Sequence, residues 1–193
     1  MKIFDVSREL FSTPVYPGDP VSKRDLVRRM SMGDAYNLSG FYTGCHNATH
    51  VDAPRHFMED GKTIDQMEPG AFMGPCTVVE ADGLITGANI DAILPECEKM
   101  ILFKGEGRAF LSASAAFALS DAGVRLVGTD AQSIETDDDT FPAHKQLLGM
   151  EIPILEGLDL SGIQPGNYRL IALPLFLAAA EASPVRAVLI SDE

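Results

Sequence analysis

Short apolar runs closed by turn-forming residues recur along the chain and predict most of its elements. Residues 76–81 (CTVVEA), 99–103 (KMILF), 124–128 (VRLVG), 168–173 (YRLIAL) and 185–190 (VRAVLI) have the length and apolar character of buried strands. Residues 1–6 read as a further short strand. The run Ile154-Leu155 ends in Glu156 followed by Gly157, which puts a carboxylate at a strand end. Between these runs lie helical patterns. Residues 112–122 are rich in alanine and stop at Gly123, a residue suited to a helix C-terminus. Residues 90–94 and 143–148 predict two shorter helices, the latter closed by Gly149. Pro14, Pro17, Gly18 and Pro20 force the segment 12–20 into a loop. Alternation of strand and helix in the middle of the chain predicts an α/β fold with some parallel pairing. Extended pieces before residue 60 add antiparallel strands to a mixed sheet. No repeat, low-complexity block or flexible linker interrupts residues 1–193, so one domain is expected.

Charge narrows the partners. The chain carries 15 Lys and Arg against 28 Asp and Glu, a formal charge of −13. Nucleic-acid affinity comes chiefly from basic side chains neutralising phosphates, so a nucleic-acid partner is not expected. The same balance disfavours docking on anionic lipid. No stretch approaches the roughly 20 apolar residues of a membrane span. Lys2, Asp5 and Arg8 interrupt the N-terminus where a signal peptide would be apolar. Cys45, Cys76 and Cys97 are odd in number and widely spaced, which suits three buried, reduced thiols in a cytoplasmic protein.

Candidate chemistry is concentrated in one segment. Three of the four histidines stand in His46-Asn47-Ala48-Thr49-His50-Val51-Asp52-Ala53-Pro54-Arg55-His56. His46, His50, Asp52 and His56 all occupy even positions, so an extended chain would show them on one face. His50 and Asp52 would lie about 7 Å apart on a strand, close enough to share an ion. His46 and His56 would be about 33 Å apart on a straight strand, so the chain must bend, and Pro54 supplies a bend. A helix would align His46 with His50 but turn Asp52 away. Two imidazoles and a carboxylate suit Zn²⁺, Mn²⁺ or Fe²⁺, with zinc the default. The rival reading is a set of surface or hydrogen-bonded histidines. His144, at the start of a predicted helix, and Glu156 are ambiguous alone: a solvated helix residue and a turn residue fit them equally well.

Residues 46–56 resemble the signature H-x-G-T-H-x-D-x-P-x-H of the cyclase family, which includes the metal-dependent kynurenine formamidases and has the isatin hydrolases as relatives. Only Ala48 departs from it, replacing glycine, and Phe57 extends the match. Tyr16-Pro17-Gly18-Asp19-Pro20, Gly128-Thr129-Asp130 with Ser133, and Ser183-Pro184-Val185-Arg186-Ala187 resemble further family segments, with Glu135 standing where Asp is common. The resemblance implies a β/β/α swivelling-type fold, a homodimer and one or two divalent ions, zinc or manganese. It implies that His46, His50 and Asp52 hold one ion, and that Asp52, His144 and Glu156 hold a second. His56 would be the general acid/base, assisting a metal-bound hydroxide in attack on a small, non-peptide, arylformamidase-type amide. Two alternatives stay open: hydrolysis of another cyclic amide or ester, as in isatin hydrolases, and a metal-binding protein without catalysis. If the family glycine has positive φ, Ala48 costs stability.

Overall fold

The apolar runs form the middle of a nine-stranded mixed sheet. In the computed structural model, which describes residues 1–136 and 140–191, the strands are β1 (Lys2–Asp5), β2 (Lys23–Arg28), β3 (Leu38–Tyr42), β4 (His50–Asp52), β5 (Met73–Glu80), β6 (Gly83–Ile85) and β7 (Met100–Lys104). They continue with β8 (Ala109–Leu111), β9 (Leu126–Thr129), β10 (Ile154–Glu156), β11 (Gly166–Ile171), β12 (Ala182–Pro184) and β13 (Val188–Ser191). The helices are α1 (Gly87–Ile93), α2 (Ala113–Asp121) and α3 (Pro142–Gly149). The large sheet has the order β1-β13-β11-β5-β7-β9-β10-β4-β12.

Its centre, β5-β7-β9-β10, is parallel, and every other neighbouring pair in it is antiparallel. Each parallel step needs a crossover, and α1, α2 and α3 supply one each. Ser112 caps α2 by accepting from the Ala115 amide at 3.2 Å. Alternate residues of the central strands enter opposite faces. Ile101, Phe103 and Val127 pack with Ala115, Leu119 and Leu147 of the helices. Leu102, Leu126 and Leu155 pack with Val51, Leu170 and Leu189 from the antiparallel strands. Burial on both faces explains why these runs are apolar without interruption. The sheet curls so that its distant parts meet: Val6, just after β1, donates to Ala187 and accepts from the Asp159 amide, just after β10.

The α/β expectation with a mixed sheet therefore holds. The differences are local. β5 starts at Met73, ahead of the predicted 76, because Gly74 and Pro75 read as a turn; the pairing with β7 begins only at Thr77, beyond the proline. The early antiparallel strands include a β2–β3 hairpin that stands as a separate two-stranded sheet and is almost wholly exposed. Of the three thiols only Cys76 is buried; Cys45 and Cys97 are half-buried.

Candidate metal centre

The site is built around β4. Strand alternation sends Val51 into the core and aims its neighbours His50 and Asp52 the other way; all three are buried. The antiparallel register sets Glu156 of β10 directly opposite His50. Glu156 Oε2 consequently lies 3.3 Å from His50 Nε2, and Asp52 Oδ1 lies 3.5 Å from the same nitrogen.

The chain turns at both ends of this short strand. Before it, Ala48 adopts φ 57°, and His46 folds back to bring Nδ1 within 3.0 Å of Asp52 Oδ1. After it, Pro54–His56 form one 3₁₀ turn, closed by the His56 amide donating to the Ala53 carbonyl at 3.0 Å. The His46 and His56 rings end 4.2 Å apart between centroids. Pro54 gives the expected bend, and a further one, before β4, is carried by the left-handed residue at 48. From the helix layer, the first turn of α3 delivers His144, whose Nε2 is 3.3 Å from Glu156 Oε1 and 4.0 Å from Asp52 Oδ2.

All six residues singled out in the sequence thus converge. Two triads have donor atoms within 4.8 Å of one another, His46–Asp52–His56 and His50–Asp52–Glu156, and Asp52 belongs to both. Beside the grouping implied by resemblance, His56 lies with His46 and Asp52, and Glu156 groups with His50; His144 approaches from the Glu156 side, as that grouping has it.

The electrostatics call for a cation. Asp52 is fully buried, yet neither of its carboxylate oxygens receives a hydrogen bond, and His50 Nε2 also lacks one. His46 approaches Asp52 without the alignment a hydrogen bond needs. Buried charge left in this state costs several kcal/mol unless an opposite charge compensates it. A divalent ion bound by these atoms would supply that charge, and the imidazole and carboxylate donors fit zinc, manganese or iron. In the bare protein the imidazoles compensate instead. Burial opposes charge on His46, but Asp52, Glu181 and Glu156 together outweigh it and hold the ring at about 11. His144 is likewise opposed by burial yet held at about 10 by Glu135 and Glu156. Burial raises Glu156, but His144 and the charge of the neighbouring His50 imidazole outweigh it and hold the carboxyl well below its ordinary range. His56 moves the other way: burial, with help from neighbouring His46 and His144, lowers it despite Asp52.

Beside these groups lies a cavity of about 200 Å³, walled by Phe57, Phe141 and Tyr16 and edged by Asp19, Gln132 and Ser133. Phe141 takes φ 46° at the start of α3, and its ring sits 5.3 Å from that of Phe57. The proline-rich loop contributes Tyr16 and Asp19.

Two carboxylates near the site had no role in the sequence reading. Glu181, just before β12, places Oε1 3.3 Å from His46 Nε2. Glu135 contacts His144 Nδ1 at 2.6 Å. Glu135 lies in a recognisable segment and could have been found there; nothing around Glu181 signals its position. Cys45 offers no competing nucleophile, since burial and then the Glu181 charge push its thiol upward.

Comparison with known proteins decides the family. The family model described as "Putative cyclase" matches residues 4–136. The chain belongs to this cyclase family. A kynurenine formamidase of Salinibacter ruber is 37% identical, over 98% of this cyclase-family chain and 97% of its own. Among solved structures, a "predicted metal-dependent hydrolase" from Bacillus stearothermophilus superimposes with a TM-score of 0.83 at 30% identity, covering 97% of each chain. An isatin hydrolase bound to thioisatinate shares the cyclase fold with a TM-score of 0.86 at 20% identity, over 100% of this chain and 93% of that one.

Proposed function

We propose that this protein is a metal-dependent hydrolase of small, non-peptide amides, arylformamidase-like in substrate. The observation that carries this reading is Asp52: a fully buried carboxylate without hydrogen bonds, ringed by imidazoles that line an aromatic-walled cavity. His46, His50, Asp52, His144 and Glu156 would hold one or two divalent ions, with zinc the metal that imidazole-rich sites favour. A bound ion supplies Lewis acidity, enough to bring the pKa of water to about 7 and to polarise a carbonyl.

The remaining work falls to the chain's own side chains. Phe57 and Phe141 cover the aryl ring and exclude water from one face of it. His56 adjoins His46 and lines the same cavity. With its charged form disfavoured by burial, it is a base at neutral pH. It accepts a proton from the attacking water and returns it to the departing aryl nitrogen, a role worth about 10²–10⁴ in rate. Products would be formate and an aromatic amine.

Elemental analysis of purified protein, beside hydrolysis assays on N-formylkynurenine, formanilide and isatin, tests the reading. Bound zinc with turnover of the formyl anilides is expected. Turnover of isatin alone would move the reading to cyclic amides, and bound metal with no turnover would leave a binding protein. The same reading takes the protein to be a cytoplasmic homodimer, supported by its unpaired thiols and by the exposed apolar residues Val27, Met30, Met32 and Phe41 on and beside the β2–β3 hairpin. Light scattering on the native protein measures its oligomeric state. No helix among the described residues is long and apolar enough to cross a membrane.

A further inference from the structure

The four imidazoles of the site are not equally supported. His50 Nδ1 faces a neutral group, the Ala48 carbonyl, at 3.2 Å. His144 Nδ1 faces a full carboxylate, Glu135, at 2.6 Å. Glu135 is itself buried, and both its oxygens are engaged: Oε2 accepts from the Ala143 amide at 2.9 Å and Oε1 from the His144 amide at 3.1 Å. An ionised carboxylate only accepts hydrogen bonds, so the proton in the Glu135–His144 contact sits on Nδ1. Nε2 is then the nitrogen that faces Asp52 and Glu156, and it would offer its lone pair to an ion that displaces its proton. The adjoining residue completes the clamp, because the Ile134 amide donates to Glu156 Oε1 at 2.6 Å. Two consecutive residues therefore hold a histidine and a carboxylate of the site in register.

We propose that Glu135 is a positioning residue for the metal: it fixes His144 as an Nε2 donor and strengthens that donor through its charge. The inference rests on the metal reading above and goes beyond it by assigning a role to a residue that does not touch the ion. Carboxylates behind metal-bound histidines act in this way generally, and their loss costs roughly 10–100-fold in metal affinity. A purely structural role, capping α3 through two backbone amides, is the competing account.

The experiment is a zinc titration of the full chain against a competing chelator. Glu135→Gln retains an oxygen to accept from Nδ1 but removes the charge, and it should weaken zinc binding about 10–100-fold. Glu135→Asp, which keeps the charge, should recover part of that loss. Zinc affinity in Glu135→Gln within twofold of the native protein would overturn the proposal. A second measurement needs no variant and remains decisive if Glu135→Gln does not fold. In zinc-loaded native protein, long-range ¹H–¹⁵N spectra should show His144 protonated at Nδ1 with Nε2 shifted by the metal. A proton on Nε2 would refute the assignment, and a capping role alone would not dictate either pattern. Native protein that binds no zinc would defeat the metal reading together with this one. Tight native binding with an indifferent Glu135→Gln would defeat this one alone.

Discussion

At the scale of single residues, the proposed roles separate holding an ion from moving a proton. Asp52 belongs to both triads, so Asp52→Ala should abolish metal binding along with activity. His56→Ala should keep the metal and lose about 10²–10⁴ in kcat. Metal content measured beside kcat distinguishes the two, and loss of metal from His56→Ala would make His56 a ligand, as its place in the first triad also permits. Ala48 invites a different test. Its φ of 57° is left-handed, where an L-residue with a Cβ is strained by roughly 1–2 kcal/mol. Glycine relieves that strain but enlarges the entropy of the unfolded chain, which offsets about 0.4–1 kcal/mol. Ala48→Gly should therefore raise stability by about 0.5–1 kcal/mol in a denaturant titration. A loss of stability would show that the alanine methyl packs usefully enough to outweigh its backbone strain.

At the scale of elements, the site depends on two short strands whose register is fixed by close backbone approach. Glu156 meets His50 because the last residue of β10 pairs with the first residue of β4. Gly157 follows with φ +66°, and a Cβ there would collide with the Ala48 carbonyl. The Thr49 hydroxyl also donates to the Gly157 carbonyl at 2.6 Å. Gly157→Ala should cost at least about 2–3 kcal/mol in thermal or chemical unfolding, combining left-handed strain with a backbone clash. It should also weaken metal binding, because relief of the clash moves His46 or Glu156. Intact affinity in a destabilised protein would show that the strand ends move together. These elements differ in how legible they are in sequence. The central strands and α2 are readable because burial on both faces, or a cap and a closing glycine, leaves a local pattern. The even spacing from 46 to 56 reveals which side chains belong together, since alternation survives in β4. It does not reveal that only three of those residues are strand, because the bend at 48 is carried by an alanine. The β2–β3 hairpin carries apolar residues on exposed faces and so lacks the usual inside–outside alternation. Glu181 reaches His46 through the pairing of β12 with β4, a long-range contact without local trace.

At the scale of the whole molecule, the centre gathers residues from separate parts of the fold. The ligands proposed for it come from the turn before β4, from β4 itself, from β10 in the sheet and from α3 in the helix layer. An ion there binds the folded state alone and stabilises it by mass action, about 4 kcal/mol when present at a thousand times its Kd. For a chain of this size that corresponds to a fall in Tm on the order of 10 °C when a chelator removes it. The size of the fall should depend on pH, with a definite sign. In the metal-free protein His46 and His144 are held at about 11 and about 10, above their ordinary value of 6.5. Their charged forms thus stabilise the metal-free fold fully below pH 6.5, and that contribution is lost as pH rises toward 10–11. Asp52 and Glu156, both held low, stay ionised throughout this window and add no slope. Metal binding runs the other way, because the ion must displace those same protons and binds more tightly as they leave. Chelation should therefore lower Tm more at about pH 9 than at about pH 6.5, the ordinary pKa of histidine. Paired melts with and without chelator, with metal loss verified at each pH, measure the difference. A gap that narrows with rising pH would mean that the buried imidazoles are neutral in the metal-free fold, and the compensation assigned to them would have to come from elsewhere.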